Sequence, residues 1–111
     1  MVTVLVDARN VLRSVWPNMP EDDVVEASRR WAAARGAEAE VVFDGRAPAG
    51  GIPTADESAD DWIARRGVEL SAAGEPYWLV TSDRELRERA GGSAERVIGG
   101  GAFVRELQAQ R

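Results

Sequence analysis

Three short apolar segments of this 111-residue chain each run into an aspartate, and this repeated pattern constrains the fold more than any other feature. The segments are residues 2–6 before Asp7, residues 40–43 before Asp44, and residues 77–80 before Thr81-Ser82-Asp83. Short runs rich in β-branched and aromatic residues are typical of buried strands. The sequence therefore predicts three strands whose carboxyl ends carry acidic side chains.

Helical spacing of apolar residues fills the intervals between these strands. It occurs in residues 8–15, 20–35, 58–73 and 84–90, and again after Gly101. Shorter extended pieces are expected near Ile52 and over residues 96–98. Alternating strands and helices predict an α/β fold with a parallel sheet, and residues 1–111 suffice for a single domain.

The absence of three residue types excludes several kinds of chemistry. The chain contains no Cys, no His and no Lys, so all 14 basic residues are Arg. Disulfides, thiolate or Schiff-base nucleophiles, His general bases and zinc bound by His or Cys are therefore impossible. Carboxylates, hydroxyls, guanidinium groups and a bound hard metal ion remain. The net charge of −5 is weak evidence against nucleic acid, because bound divalent ions would change the local sign.

Parallel strands bring the groups at their carboxyl ends to one crevice. Asp7, Asp44 and Asp83 should therefore meet there, and a further acidic group in residues 57–61 begins a helix. Gathered carboxylates repel one another unless they bind a proton or a cation. Because every available ligand is an oxygen, the expected cation is Mg²⁺ or Mn²⁺, either of which can activate water for attack on a phosphodiester.

A purely structural role is the alternative for each acid taken alone. An Asp after a strand is commonly a helix N-cap, and Asp60 and Asp61 would complement the dipole of the helix that they begin. Repetition at three strand ends favours the metal site. Asp60 and Asp61 differ by about 100° around a helix, so one of the two should face the crevice.

Five motifs in order resemble the YacP-like NYN branch of the PIN-like nucleases. They are Val6-Asp7-Ala8-Arg9-Asn10-Val11, Val41-Val42-Phe43-Asp44-Gly45, Glu57-Ser58-Ala59-Asp60-Asp61, Thr81-Ser82-Asp83-Arg84 and Gly101-Ala102. The resemblance covers nearly the whole chain. It implies a PIN-like three-layer sandwich with a small parallel sheet of order 3-2-1-4-5 between helices, and hydrolysis of RNA with Mg²⁺ or Mn²⁺.

The resemblance also assigns roles to residues by their motif positions. Asp7, Asp60 and Asp83 would be catalytic, metal-binding acids, Asp44 and Glu57 would join the metal site, and Asn10 and Ser82 would be supporting polar groups. Two departures from the family pattern concern the substrate channel. Ala8-Arg9 stands where Gly-Tyr is common, and the segment between Asp44 and Glu57 is short, so one strand is expected to be reduced.

Arginines beside the acids are candidates for binding RNA phosphates, with Arg9 and Arg46 favoured. In residues 84–89 the interleaved glutamates favour ordinary surface ion pairs instead. Trp16, beside Pro17, is the tryptophan expected to be exposed and able to stack on a base.

We therefore expect a metal-dependent endoribonuclease. One alternative is an RNA-binding or interaction module that keeps the fold without cleaving. A phosphotransfer protein is disfavoured, because the chain has no Lys and no acid two residues after Asp7. The first six residues are too short for a signal segment or a membrane span, so a soluble, cytoplasmic protein is expected. The sequence leaves the partner besides RNA open among the ribosome, an antitoxin and a second copy of the chain.

Overall fold

Strands and helices alternate along the chain. The computed structural model describes residues 1–15 and 19–110, so Trp16, which was predicted to be exposed, lies outside the described residues. Within those ranges the elements are β1 (Val2–Asp7), α1 (Ala8–Arg13), α2 (Glu21–Ala33), β2 (Ala37–Phe43), β3 (Ile52–Pro53), α3 (Ala59–Ala72), β4 (Tyr77–Val80), α4 (Arg84–Ala90), β5 (Arg96–Ile98) and α5 (Gly100–Ala109).

The five strands form one sheet in the order β3-β2-β1-β4-β5, and every neighbouring pair is parallel. The predicted fold class and strand order are thereby confirmed. Val6 is opposite Val41 of β2 and Val80 of β4, so these three strands end at nearly the same level. The predicted reduced strand is β3, which has two residues and pairs only with the last two residues of β2.

Helices cover both faces of the sheet and bury a separate apolar core on each. Val4 and Val6 pack into the core made with α1, α2 and α5, which contains Trp31 and Phe103. Leu5 packs into the opposite core, made with α3 and α4. This alternation follows from the two-residue period of a strand. By the same period, the side chain of Asp7, two residues after Leu5, faces α3 and α4.

β2 begins earlier than the sequence predicted. The expected strand started at Glu40, whereas the observed one starts at Ala37 and pairs with β1 from Val2 onward. Residues 37–40 alternate alanine and glutamate, which is the pattern of a strand with one exposed face rather than of a buried run. The prediction missed residues 37–39 because it followed apolar residues only.

Gly67 lies in the middle of α3, and the helix continues through it without interruption. The reason for a glycine is the buried Tyr77, whose hydroxyl donates a hydrogen bond to the carbonyl oxygen of Ala90. A Cβ at position 67 would lie 2.9 Å from the Tyr77 hydroxyl oxygen and 3.2 Å from its Cζ. The glycine therefore allows α3 to approach β4 and α4 closely.

None of the helices in the described part of the chain is long and apolar enough to cross a membrane.

Replacing Gly67 with alanine should destabilise the protein. The substitution gains up to about 1 kcal/mol of helix propensity, but overpacking against the Tyr77 ring costs about 1–3 kcal/mol, so a net loss is expected. Chemical denaturation monitored by tryptophan fluorescence measures the change in the free energy of unfolding.

Gly92→Ala is the matched control, because a Cβ at position 92 meets nothing within 4 Å. It should change stability by no more than about 0.5 kcal/mol. A Gly67→Ala protein as stable as the wild type would show that the contact with Tyr77 relaxes without cost.

Candidate functional site

Asp7 is a buried carboxylate at the end of the central strand β1. Its side chain is 5% exposed, and it points to the α3/α4 side of the sheet, like Leu5. Because Val6 pairs with Val80, the residues that follow them, Asp7 and Thr81, also lie side by side. The hydroxyl of Thr81, itself fully buried, donates a 3.0 Å hydrogen bond to Asp7 Oδ2.

Burial raises the pKa of Asp7 from 3.8 to about 6. Loss of hydration is the largest cause, and the neighbouring negative charges of Asp60 and Asp44 add to it. The hydrogen bond from Thr81 acts in the opposite direction, because it favours the ionised form. Asp7 is thus a carboxylate whose charge the surrounding protein leaves incompletely compensated.

Asp60 and Asp61 begin α3 but face different surroundings. Ser58 caps the helix by accepting a hydrogen bond from the Asp61 backbone N–H, 3.0 Å away. Asp61 is exposed and forms an ion pair of 2.9 Å with Arg89. Asp60 is half-buried and lines the same pocket as Asp7. Between the two, Asp60 is therefore the one that faces the crevice.

The pKa of Asp60 is also raised. Partial burial is the largest cause, followed by the negative charges of Asp83 and Asp44, while Arg89 lowers the pKa. The shifts of Asp7 and Asp60 have the same origin. Both acids lie in a partly dehydrated pocket that they share with other acids.

Asp83 lies at the start of α4 and is half-buried. Its Oδ1 accepts a hydrogen bond of 3.0 Å from the backbone N–H of Leu86, so it acts as the N-cap. Its own N–H donates to the Thr81 hydroxyl oxygen at 3.1 Å. The Thr81 hydroxyl therefore joins Asp83 and Asp7 through one short network. Capping uses one carboxylate oxygen of Asp83, and the side chain still lines the pocket.

Asp44, at the end of β2, has partners for both of its carboxylate oxygens. Oδ1 accepts a hydrogen bond from the Ala59 N–H at 2.9 Å, and Oδ2 lies 3.5 Å from Nε of Arg9. These contacts connect the end of β2 with the beginning of α3 and with α1. The arrangement suits a residue that holds the wall of the pocket together.

One pocket of about 240 Å³ collects most of the predicted site residues. It is lined by Asp7, Arg9, Asn10, Arg13, Asp44, Ser58, Asp60 and Asp83. We call it the acidic pocket. In residues 1–15 and 19–110, no three acidic side chains are close enough to form a ready-made metal site. The chemistry of the donors, which are carboxylate oxygens, nevertheless fits a hard divalent cation.

Three of the predicted site residues, Ser82, Glu57 and Arg46, are not among the residues that line the acidic pocket. Glu57 forms an ion pair with Arg65, with 2.5 Å between Oε2 and the guanidinium nitrogen. Arg46 is exposed and is not among the residues that line the pocket. Arg46 is close in sequence to Asp44, and Glu57 to Asp60, but neither side chain lines the pocket.

Asn10 and Ser82 connect α1 with the loop after β4. The side-chain oxygen of Asn10 accepts a 2.8 Å hydrogen bond from the Ser82 N–H, and the Ser82 hydroxyl oxygen accepts one of 2.8 Å from the Gly100 N–H. A Cβ at position 100 would collide with the Asn10 side-chain oxygen. Asn10 also lines the acidic pocket, so the network holds one of its walls.

Three residues of the site were not singled out as site residues by sequence reasoning. Thr81 bridges two acids, Ser58 caps α3 at the rim, and Arg13 lines the pocket beside Arg9. Thr81 was detectable in principle, since it occupies the first position after β4, next to the end of β1. The direction of Arg13 depends on the short helix α1 and on its packing.

In the absence of metal, Asp7 should make stability depend on pH. An acid with a higher pKa in the folded state than in the unfolded chain destabilises the fold once it ionises. Its cost is absent only well below pH 4, grows as the pH rises toward 6, and reaches about 2–3 kcal/mol above pH 7. The gain in stability of Asp7→Asn over the wild type should therefore be larger at pH 8 in EDTA than at pH 4.

The measurement is the free energy of unfolding of both proteins across this pH range. Asp56→Asn, which changes an exposed aspartate, is the control and should show no such divergence. A difference between wild type and Asp7→Asn that stays constant from pH 4 to pH 8 would contradict the assigned cause of the shift.

The structure was compared with known proteins. No family model and no curated protein matches the sequence. Two crystal structures of Rae1 (YacP) from Bacillus subtilis have a similar fold. One, a point mutant, has a TM-score of 0.77 at 20% identity over 98% of this chain and 76% of that one. The other has a TM-score of 0.71 at 19% identity over 98% and 75%. At this identity, the likeness shows that the chain has a YacP-like fold.

Proposed function

We propose that the chain is a metal-dependent endoribonuclease that hydrolyses phosphodiester bonds at the acidic pocket. The observation that carries the proposal is the convergence of Asp7, Asp60 and Asp83 on one pocket, with Asp7 buried. Within the described residues, no arginine forms an ion pair with any of these three acids. Burying acidic groups without a compensating charge costs stability and is characteristic of functional sites.

A divalent cation supplies the missing charge. Asp7, Asp60 and Asp83 would hold Mg²⁺ or Mn²⁺, since all three offer carboxylate oxygens and the chain has no His or Cys to select a softer metal. When bound, such an ion lowers the pKa of water and stabilises the charge that develops on a phosphodiester. Asp44 would take part only through water, because both of its oxygens already have protein partners.

The residues of the chain have separate roles in the proposed reaction. Thr81 orients the Asp7 carboxylate and restrains the loop that carries Asp83. Arg9 and Arg13, which also line the pocket, would bind the phosphate of the substrate and keep it beside the acids. A carboxylate is the available proton acceptor at neutral pH, because no His or Lys exists in the chain.

RNA is the substrate class that the family resemblance implies, and the fold shared with Rae1 (YacP) supports it. A second candidate is an RNA-binding module that does not cleave. The ion pair between Arg9 and Asp44 favours that alternative, because it binds one cationic and one acidic side chain of the pocket to each other. The same experiment separates the two.

The test is incubation of labelled single-stranded RNA with the wild-type chain in Mn²⁺, in Mg²⁺ and in EDTA, beside Asp60→Asn and Asp61→Asn. These neighbouring acids form a matched pair, since one lines the pocket and the other forms a surface ion pair. We expect metal-dependent cleavage that Asp60→Asn reduces by about 100-fold or more and that Asp61→Asn changes by less than about threefold.

Asp7→Asn should abolish cleavage while the protein stays folded. RNA that binds but stays intact in Mn²⁺ would support the non-cleaving alternative. Equal losses from Asp60→Asn and Asp61→Asn would contradict the assignment of the site.

A further inference from the structure

A second pocket adjoins the acidic pocket. It has a volume of about 350 Å³ and is lined by Arg9, Leu12, Arg13, Met19, Glu21, Phe43 and Asp44. Arg9, Arg13 and Asp44 line both pockets, so the two pockets adjoin along this shared wall. We call the second one the side pocket. No part of the proposed hydrolysis uses its remaining residues.

The chemistry of the side pocket differs from that of the acidic pocket. Leu12, Met19 and Phe43 supply apolar surface, and Glu21, the first residue of α2, supplies a carboxylate. Arg13 is exposed and has no carboxylate within ion-pairing distance in the described part of the chain. The side pocket thus combines an apolar floor, a hydrogen-bond acceptor and an available cation.

This combination matches one nucleotide of a single strand. A nucleobase has apolar faces and a polar edge, and proteins that read single-stranded RNA bind bases through both. The phosphate attached to that base would lie toward the shared wall, where Arg9 and Arg13 can bind it. An apolar peptide segment would use the floor but would offer no group for the Arg13 guanidinium to bind.

We infer that the side pocket binds one unpaired nucleobase of the RNA strand, next to the phosphodiester held at the acidic pocket. The inference rests on the proposed function, which supplies the strand. Glu21 would accept hydrogen bonds from the amino and imino groups on the edge of the base. Guanine presents two such donors side by side, so a guanine nucleotide should bind more tightly than a uridine nucleotide.

The experiment uses the full-length Asp7→Asn chain in EDTA, so that binding is observed without cleavage. GMP and UMP are titrated separately while backbone amide and methyl NMR signals are recorded. Both nucleotides should shift the methyl signals of Leu12 and Met19, and GMP should bind at least about threefold more tightly. Inorganic phosphate should move the signals of Arg9 and Arg13 but leave these methyl groups unchanged.

Glu21→Gln is the key variant, because it keeps the size of the side chain and removes the carboxylate. It should weaken GMP binding by about 5- to 10-fold and UMP binding by much less. Asp22→Asn is the matched control, since it removes the same charge from the same turn of α2 at a residue that does not line the side pocket. It should leave the preference for GMP intact.

Leu12→Ala provides a second, independent variant and should weaken both nucleotides alike. The inference is overturned if neither nucleotide moves the Leu12 and Met19 signals, or if Glu21→Gln and Asp22→Asn have equal effects. If the wild type cleaves RNA but neither nucleotide binds in the side pocket, the base-binding inference is rejected and the proposed nuclease activity stands. If the nucleotides bind in the side pocket but the wild type does not cleave RNA, the proposed hydrolysis is rejected and the chain is an RNA-binding module.

Discussion

The burial of one carboxylate, that of Asp7, is the constraint on which the rest of the site depends. β1 is the central strand of the sheet, so its last residue lies between the ends of β2 and β4. Burial and nearby acids raise the pKa of Asp7 to about 6, and hydrogen bonds from the Thr81 hydroxyl and the Asn10 backbone offset part of this cost. A fold selected for stability alone would place an apolar residue there. We therefore propose that a positively charged ligand accounts for the buried carboxylate of Asp7.

The elements around Asp7 divide the surface into two connected pockets. Asp44 and Arg9 form the wall between them, and this ion pair is anchored to the first N–H of α3. On one side lie acids that would hold a cation, and on the other lies apolar surface beside Arg13 and Glu21. With a phosphodiester in the acidic pocket and a base in the side pocket, as we propose, this wall would set the distance between them.

Much of the fold was predictable from local patterns. Each apolar run that ended in an acid became a strand, and the short segment before α3 became the two-residue β3. Residues 37–39 were missed because a half-exposed strand has a weaker signal than a buried one. Gly67 lies inside α3 despite its low helix propensity, and close packing against Tyr77 explains the glycine there. The strand order came from the family resemblance, since local patterns carry no information about which strands are neighbours.

The site was predictable to the extent that strand ends determine it. The positions of Asp7, Asp44 and Asp83 follow from the parallel sheet, and the choice of Asp60 over Asp61 required the orientation of α3. Side-chain direction in loops and short helices was not accessible, and for that reason Arg13 was undervalued.

The most direct test of the account is anomalous X-ray diffraction from crystals grown near pH 7 and soaked in MnCl₂. The account predicts an anomalous peak in the acidic pocket, within about 2.0–2.4 Å of a carboxylate oxygen of Asp7 and of at least one of Asp60 and Asp83. An occupied Mn²⁺ site elsewhere on the protein, with the acidic pocket free of anomalous density, would contradict it.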